Sequence, residues 1–393
     1  MNVSKIIGWI SLAILGLLPA LLFAQPDTID RPAFVSENYQ RFGLQPGNVP
    51  ELWEDGARTD GAPGTYEWWY FDALLQDGSA VVCIFYTKDF FLENSPKTPT
   101  IALNISRPDG SFISRRVEFP INQTNFSTDS CNVEMGPNYF RGNLQNYVIH
   151  FEEPGLSFTA NLTRSSAQSW RPKTGHVVFG DNQADFFGWL VAVPNGIVQV
   201  ELDNNGTVEN LVGSGYHDHN WSNAGMQEVF NHWYWVRSNV GPYTVITSEM
   251  VASKTFDKEK VNVVHLAKNG QLVADDGESI TLYRTYGDLD PEFGKDVSDE
   301  LFFLYEDEAT GYRYEYFLKK QATIFAGDLL STAIPDPFLQ WLYALFTDLD
   351  EAAYFRFLGS AKLRILKDGQ LLEEYENPFS LWELMHLNKV QQP

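Results

Sequence analysis

Cysteine is scarce: the chain has two in 393 residues, Cys83 and Cys131. At most one internal disulfide can form, and the distance between the two excludes a Cys-x-x-Cys redox pair. Basic residues are also few, with 28 Lys and Arg against 51 Asp and Glu, giving a formal charge of -23. Such a chain repels nucleic acid and anionic membrane surfaces, so neither is an expected partner. Beyond residue 23 no apolar run is long enough to span a bilayer as a helix. Nucleophile and nucleotide signatures are missing too. There is no Gly-x-Ser-x-Gly, no phosphate-binding Gly loop and no His-Glu-x-x-His. These absences disfavour covalent hydrolases, kinases and dinucleotide enzymes.

What is abundant is aromatic. Phe, Tyr and Trp make up 15% of the chain, and 44% is hydrophobic. That composition suits a large core and a small neutral or apolar ligand. The N-terminus carries Lys5, the apolar stretch Ile6 to Phe23 with Pro19 near its end, and Ala24. Residues 1–24 read as a cleaved signal peptide, with a retained anchor as the alternative. The expected route is secretory, ending outside the cell or in a lumen, with no stable membrane association after cleavage. Sequons at Asn104, Asn122, Asn125, Asn161, Asn205 and Asn220 agree with it. Asn220 is expected to stay unglycosylated if it is buried. In an oxidising compartment Cys83 and Cys131 are expected to pair. Closing a loop of about 50 residues stabilises by roughly 3–4 kcal/mol.

Residues 25 to about 65 are rich in Pro and Gly and read as an extended lead-in. From Tyr66 onward the pattern is strand, turn, strand. Turn-forming pairs occur at Asp77-Gly78, Asp109-Gly110, Asn195-Gly196, Asn205-Gly206, Asn269-Gly270, Asp276-Gly277 and Asp368-Gly369. They favour the positive φ of tight hairpins. Flanking runs such as Ala80 to Tyr86 and Ala361 to Leu366 are rich in β-branched and aromatic residues. Helix is expected only at Asp336 to Phe346 and after a Ser380/Glu383 capping box. The fold class is therefore all-β, as a sandwich or barrel. Two units are expected, 25–225 and 226–393, with the boundary near Asn223-Ala224-Gly225.

Two segments carry the candidate chemistry, Glu67-Trp68-Trp69-Tyr70-Phe71-Asp72 and Gly215-Tyr216-His217-Asp218-His219-Asn220-Trp221. On strands, alternate side chains face opposite ways. Glu67, Trp69 and Phe71 share one face, and Trp68, Tyr70 and Asp72 the other. His217 and His219 share a face, and Asp218 points away. A metal held by these two with His232 has no local spacing to fix it. Acid–base or hydrogen-bonding use is favoured, beside a purely structural network. The leading candidates are Asp72, Tyr70, Trp68, Tyr216, His217 and Asp218. Glu67, His219, Trp233 and Trp341 follow as substrate-binding residues.

Both segments, in this order, together with Phe187-Gly188-Trp189 and Pro194-Asn195-Gly196, resemble the hydroxyneurosporene synthase family of carotenoid 1,2-hydratase-like proteins. The resemblance covers roughly residues 60 to 390. It implies two lipocalin-like antiparallel barrels. Bacterial members hydrate carotenoid double bonds. Fungal members of similar length include Diels-Alderases. The signal-like N-terminus and dense sequons are most similar to hetero-Diels-Alderases that join a tropolone-type quinone methide to a terpene alkene. The resemblance implies a cofactor-independent pericyclase acting on a small hydrophobic polyketide or terpenoid. An isoprenoid hydratase or isomerase, or a lipocalin-like carrier, are the alternatives.

Overall fold

The computed structural model describes residues 32–285, 289–329 and 352–387. The segments expected as a signal peptide and as the 336–346 helix, with Trp341, lie outside the described residues. Among the described residues strand dominates, and the all-β expectation holds. Residues 33–222 form a 13-stranded sheet, and residues 230–386 a nine-stranded one. Both are curled antiparallel half-barrels.

Turn chemistry explains the hairpins. Asn205-Gly206, Asn269-Gly270 and Asp368-Gly369 each place both residues at positive φ, between 49° and 83°. Each closes a two-residue hairpin, for example between Asn204 and Thr207. Asn195-Gly196 is different. It falls inside a 20-residue strand, Asp185–Asn204, at a register irregularity between Val193 and Gly196. There the pair bends a long strand where a turn was expected. The Ser380/Glu383 pair is also a correction. Both residues lie in the strand Gln370–His386, where Ser380 pairs with Gly359 and Glu383 with Arg356. Strand pairing on both sides of this segment overrides the local cap signal.

Besides Thr100–Ser106, Phe112–Glu118 and Tyr312–Asp328, which also reach it, eight strands build the site. They are β1 (Tyr66–Leu75), β2 (Ala80–Lys88), β3 (Asp185–Asn204) and β4 (Thr207–Ser222) in the first sheet. In the second they are β5 (Phe230–Val240), β6 (Tyr243–Ala252), β7 (Ala353–Lys367) and β8 (Gln370–His386). Three apolar clusters follow from period-2 alternation. One fills the first half-barrel around Trp69, Phe71, Phe85 and Phe158. A second fills the other around Tyr234, Phe355, Phe357 and Trp382. The third lies between the sheets and joins Trp68, Tyr70, Tyr216, Trp235 and Met250.

Cys83 and Cys131 are both free thiols, which corrects the expected disulfide. Both are buried in the first half-barrel cluster. Burial pushes both thiols well above their usual pKa, so they behave as small apolar side chains.

Candidate functional site

The two aromatic segments are hydrogen-bonded neighbours. β1 and β4 run antiparallel with Tyr70 opposite Asp218, Trp68 opposite Asn220 and Asp72 opposite Tyr216. On the other face Trp69 opposes His219, and Phe71 opposes His217. One ribbon thus presents two chemistries. His217 and His219 turn into the first half-barrel. Trp68, Tyr70, Asp218 and Asn220 turn towards the second sheet, where they line a cavity.

The cavity walls are aromatic and soft. Trp68, Phe187 and Trp189 come from the first sheet, and Trp233, Trp235, Met250 and Met385 from the second. Two carboxyls break this apolar lining. Asp218 Oδ2 accepts hydrogen bonds from Trp189 Nε1 and Tyr216 Oη, each at 2.8 Å. Its Oδ1 accepts from Asn220 Nδ2 at 2.8 Å. Burial outweighs these donors and pushes the Asp218 carboxyl up to about 7. Near neutral pH it therefore exists both as an acid and as a base. Glu383 is the second carboxyl. Burial also raises its pKa, opposed by Arg356 and by hydrogen bonds from Tyr354 and Tyr70. Tyr70 Oη donates to Glu383 Oε1 at 2.8 Å. Burial and the Asp72 and Glu383 charges push the Tyr70 hydroxyl well above its usual pKa, so it remains a neutral donor.

Asp72 is fully buried and does not line this cavity. It joins the two sheets. Its Oδ2 accepts from Arg356 Nη2 at 2.9 Å, and its Oδ1 lies 2.5 Å from Arg237 Nη2 as an ion pair without hydrogen-bond alignment. Tyr70 Oη also reaches Asp72 Oδ2 at 3.2 Å. Asp72 is thus placed to position Arg356 and Tyr70 from behind. Tyr216 is likewise fully buried, and it reaches the cavity only through its bond to Asp218.

The remaining candidates sit elsewhere. Glu67, His217 and His219 are inside the first half-barrel at 0% exposure. Glu67 accepts from the Arg58 and Thr59 amides at 2.6 and 3.1 Å and meets His219 Nε2 at 2.8 Å. This binds the lead-in segment to β1. His232 lies on β5 with its ring stacked on His386, so the His217, His219 and His232 set does not assemble. Trp233 does line the cavity. Arg356, Glu383, Tyr354 and Trp189 line the cavity too, and none of them was among the candidate site residues. Arg356 and Glu383 carried a signal, since each is a lone charge within an apolar strand, Ala-Tyr-Phe-Arg-Phe-Leu and Leu-Trp-Glu-Leu-Met.

Comparison with known proteins adds to this geometry. Residues 142–326 match the Diels-Alderase-like family. The quinolone epoxide rearrangement protein of Penicillium thymicola is 26% identical over 152 residues, 37% of this chain and 40% of that one. The corresponding protein of Emericella nidulans is 26% identical over 199 residues, 46% of this chain and 53% of that one. The chain thus matches about half the length of these curated relatives or less. The crystal structure of CghA superposes with a TM-score of 0.60 over 92% of this chain and 100% of that one, at 13% identity. CghA has also been solved with Sch210972. The fold is lipocalin-like, and the Diels-Alderase-like match covers just under half of the chain.

Proposed function

We propose that this chain is a cofactor-independent cyclase or rearrangement enzyme of natural-product biosynthesis. Its substrate is a small hydrophobic polyketide or terpenoid, bound between the two sheets. The observation that carries the reading is the inter-sheet cavity itself, an aromatic box with Asp218 and Glu383 as its two carboxyls. A cycloaddition needs two π-systems held face to face with their entropy already lost, which flat walls provide. It also gains from a donor aimed at a carbonyl oxygen. A protonated Asp218 or the Tyr70 hydroxyl can donate there. The names of the quinolone epoxide rearrangement relatives favour the same class. The finer assignment is a Diels-Alder or hetero-Diels-Alder closure, and the aromatic walls favour it.

A second reading rests on Asp218. A carboxyl poised near pH 7 is what alkene hydration, isomerisation or epoxide opening requires as a general acid. Turnover by Asp218→Asn and Trp233→Ala, each shown to be folded, separates the two. Shape-based closure predicts that Trp233→Ala is the more damaging. If Asp218→Asn abolishes turnover while Trp233→Ala is nearly silent, proton transfer is the chemistry.

We also propose the secretory route. Asn122, Asn125, Asn161 and Asn205 are exposed, as acceptor sites must be, while Asn104 is half-buried at the cavity rim. Glycosidase-sensitive mass at the exposed sites supports this route, and its absence from protein made in a fungal secretory host counts against it.

A further inference from the structure

Behind the catalytic wall, on the opposite face of the β1–β4 ribbon, four electron-rich side chains converge inside the first half-barrel. They are Asp55, Cys131, His217 and His219, all at 0 or 1% exposure. The ligating atoms of Asp55, Cys131 and His217 all lie within 4.8 Å of one another. We propose that these three form a structural site for a divalent cation of zinc type, with His219 Nδ1 facing Asp55 on its other oxygen, Oδ1.

The hydrogen bonds around the two imidazoles carry the argument. His217 Nδ1 is 2.9 Å from the Tyr70 carbonyl oxygen, which can only accept. The proton of the neutral ring is therefore on Nδ1. Its Nε2 lone pair then points at Asp55 Oδ2, 3.4 Å away. His219 repeats the pattern. Its Nε2 donates to Glu67 Oε1 at 2.8 Å, leaving the Nδ1 lone pair 3.7 Å from Asp55 Oδ1. Among the described residues neither His219 Nδ1 nor Asp55 Oδ1 has a hydrogen-bond partner. Two lone pairs thus face one carboxylate in a site without water access. Such a site calls for a positive charge between them. Fixing a ligand imidazole through its other nitrogen, by a backbone carbonyl or a carboxylate, is the usual outer shell of a metal site. Here both kinds are present.

The dimensions suit zinc. With metal–ligand bonds of about 2.1 Å, the 3.4 Å span from Asp55 Oδ2 to His217 Nε2 subtends about 110°, close to tetrahedral. One carboxylate and one thiolate neutralise the two positive charges. Tyr147 Oη, which donates to Asp55 Oδ2 at 2.5 Å, would orient that ligand from outside. Cys131 Sγ donates a single hydrogen bond among the described residues, a long one of 3.6 Å to the Phe140 carbonyl oxygen, and loses little by turning to a metal. The site would fasten the 52–55 turn to β4, and Tyr70, whose carbonyl fixes His217, also lines the reaction cavity.

The test uses the full chain expressed with zinc in the medium and freed of loosely bound metal by gel filtration. Elemental analysis is expected to find about one zinc per chain. Cobalt reconstitution is expected to give tetrahedral d–d bands and a near-ultraviolet thiolate-to-cobalt transition. Cys131→Ser should abolish that transition and weaken metal retention about tenfold or more, whereas Cys83→Ala keeps both. Should Cys131→Ser fail to fold, the wild-type metal content and cobalt spectrum decide alone. Metal-free protein that gives no cobalt bands after reconstitution overturns the proposal and leaves a shared proton as the bridging charge. A charge-transfer band that survives in Cys131→Ser also overturns it.

Discussion

Replacing Asp72 by alanine tests how the two sheets are joined. Asp72 is fully buried on the first sheet, while Arg237 and Arg356 reach it from the second at 2.5 and 2.9 Å with 6% and 5% side-chain exposure. Removing the carboxylate strands two buried guanidiniums. Arg356 retains two longer contacts, 3.4 Å from Nη1 to the Val81 carbonyl oxygen and 3.6 Å from Nε to Glu383 Oε1. Breaking one buried ion pair from one side costs about 3–5 kcal/mol, so Asp72→Ala should lie at the upper end of that range. Urea unfolding, with the slope checked for unchanged cooperativity, measures the loss. Asp72→Ala with Arg237→Met should recover part of it, because an apolar pair needs no counter-charge. Below the unfolding transition the single variant should keep more turnover than Asp218→Asn, since Asp72 acts through Arg356 and Tyr70. A stability loss under about 1 kcal/mol would refute the clamp, and loss of all turnover without loss of stability would make Asp72 catalytic.

Three further outcomes follow from the buried groups. The Asp218 carboxyl is raised from 3.8 to about 7, so its contribution to stability is full below about pH 4 and is lost as pH rises through 7. Relative to Asp218→Asn, the wild type should therefore weaken between about pH 4 and 7, by at most about 4 kcal/mol, and stay level above; a flat difference in pH-dependent melting contradicts the shift. Asn220 is 5% exposed and donates to Asp218 Oδ1, so peptide mapping of secreted protein should find no glycan there, and a glycan on it would place the ribbon at the surface. Both cysteines should titrate as thiols in guanidinium without reductant and neither should react in the native protein; a missing thiol signal after unfolding would restore the disulfide.

Local pattern made much of this legible. The period-2 alternation in Glu67 to Asp72 separated the residues that face the cavity from those inside the half-barrel, and His217 and His219 fell on one face as expected. The Asn-Gly and Asp-Gly turns at 205, 269 and 368 followed from glycine's freedom at positive φ. What was lost was long-range. Nothing near Asp72 in sequence announces arginines at 237 and 356, so it read as a reacting group. Glu383 obeyed a helix-capping pattern, and only its pairing with Arg356 and Trp235 shows it to be a strand residue. Asp55 lay in a stretch read as lead-in, yet its 3-10 turn, Leu52–Asp55, inserts it beside His217.

The central claim is that the reaction takes place between the sheets. Ala102 lines that cavity with a small side chain, so Ala102→Trp fills the space from one wall while leaving the Asp218 and Glu383 networks intact. The decisive measurement is the stereochemical excess of adducts formed by wild type and Ala102→Trp from a panel of quinone methides with terpene alkenes and of quinolone epoxides. The account predicts a biased product from wild type, and racemic product at the background rate from a variant of unchanged melting temperature. Equal bias from both proteins would contradict it.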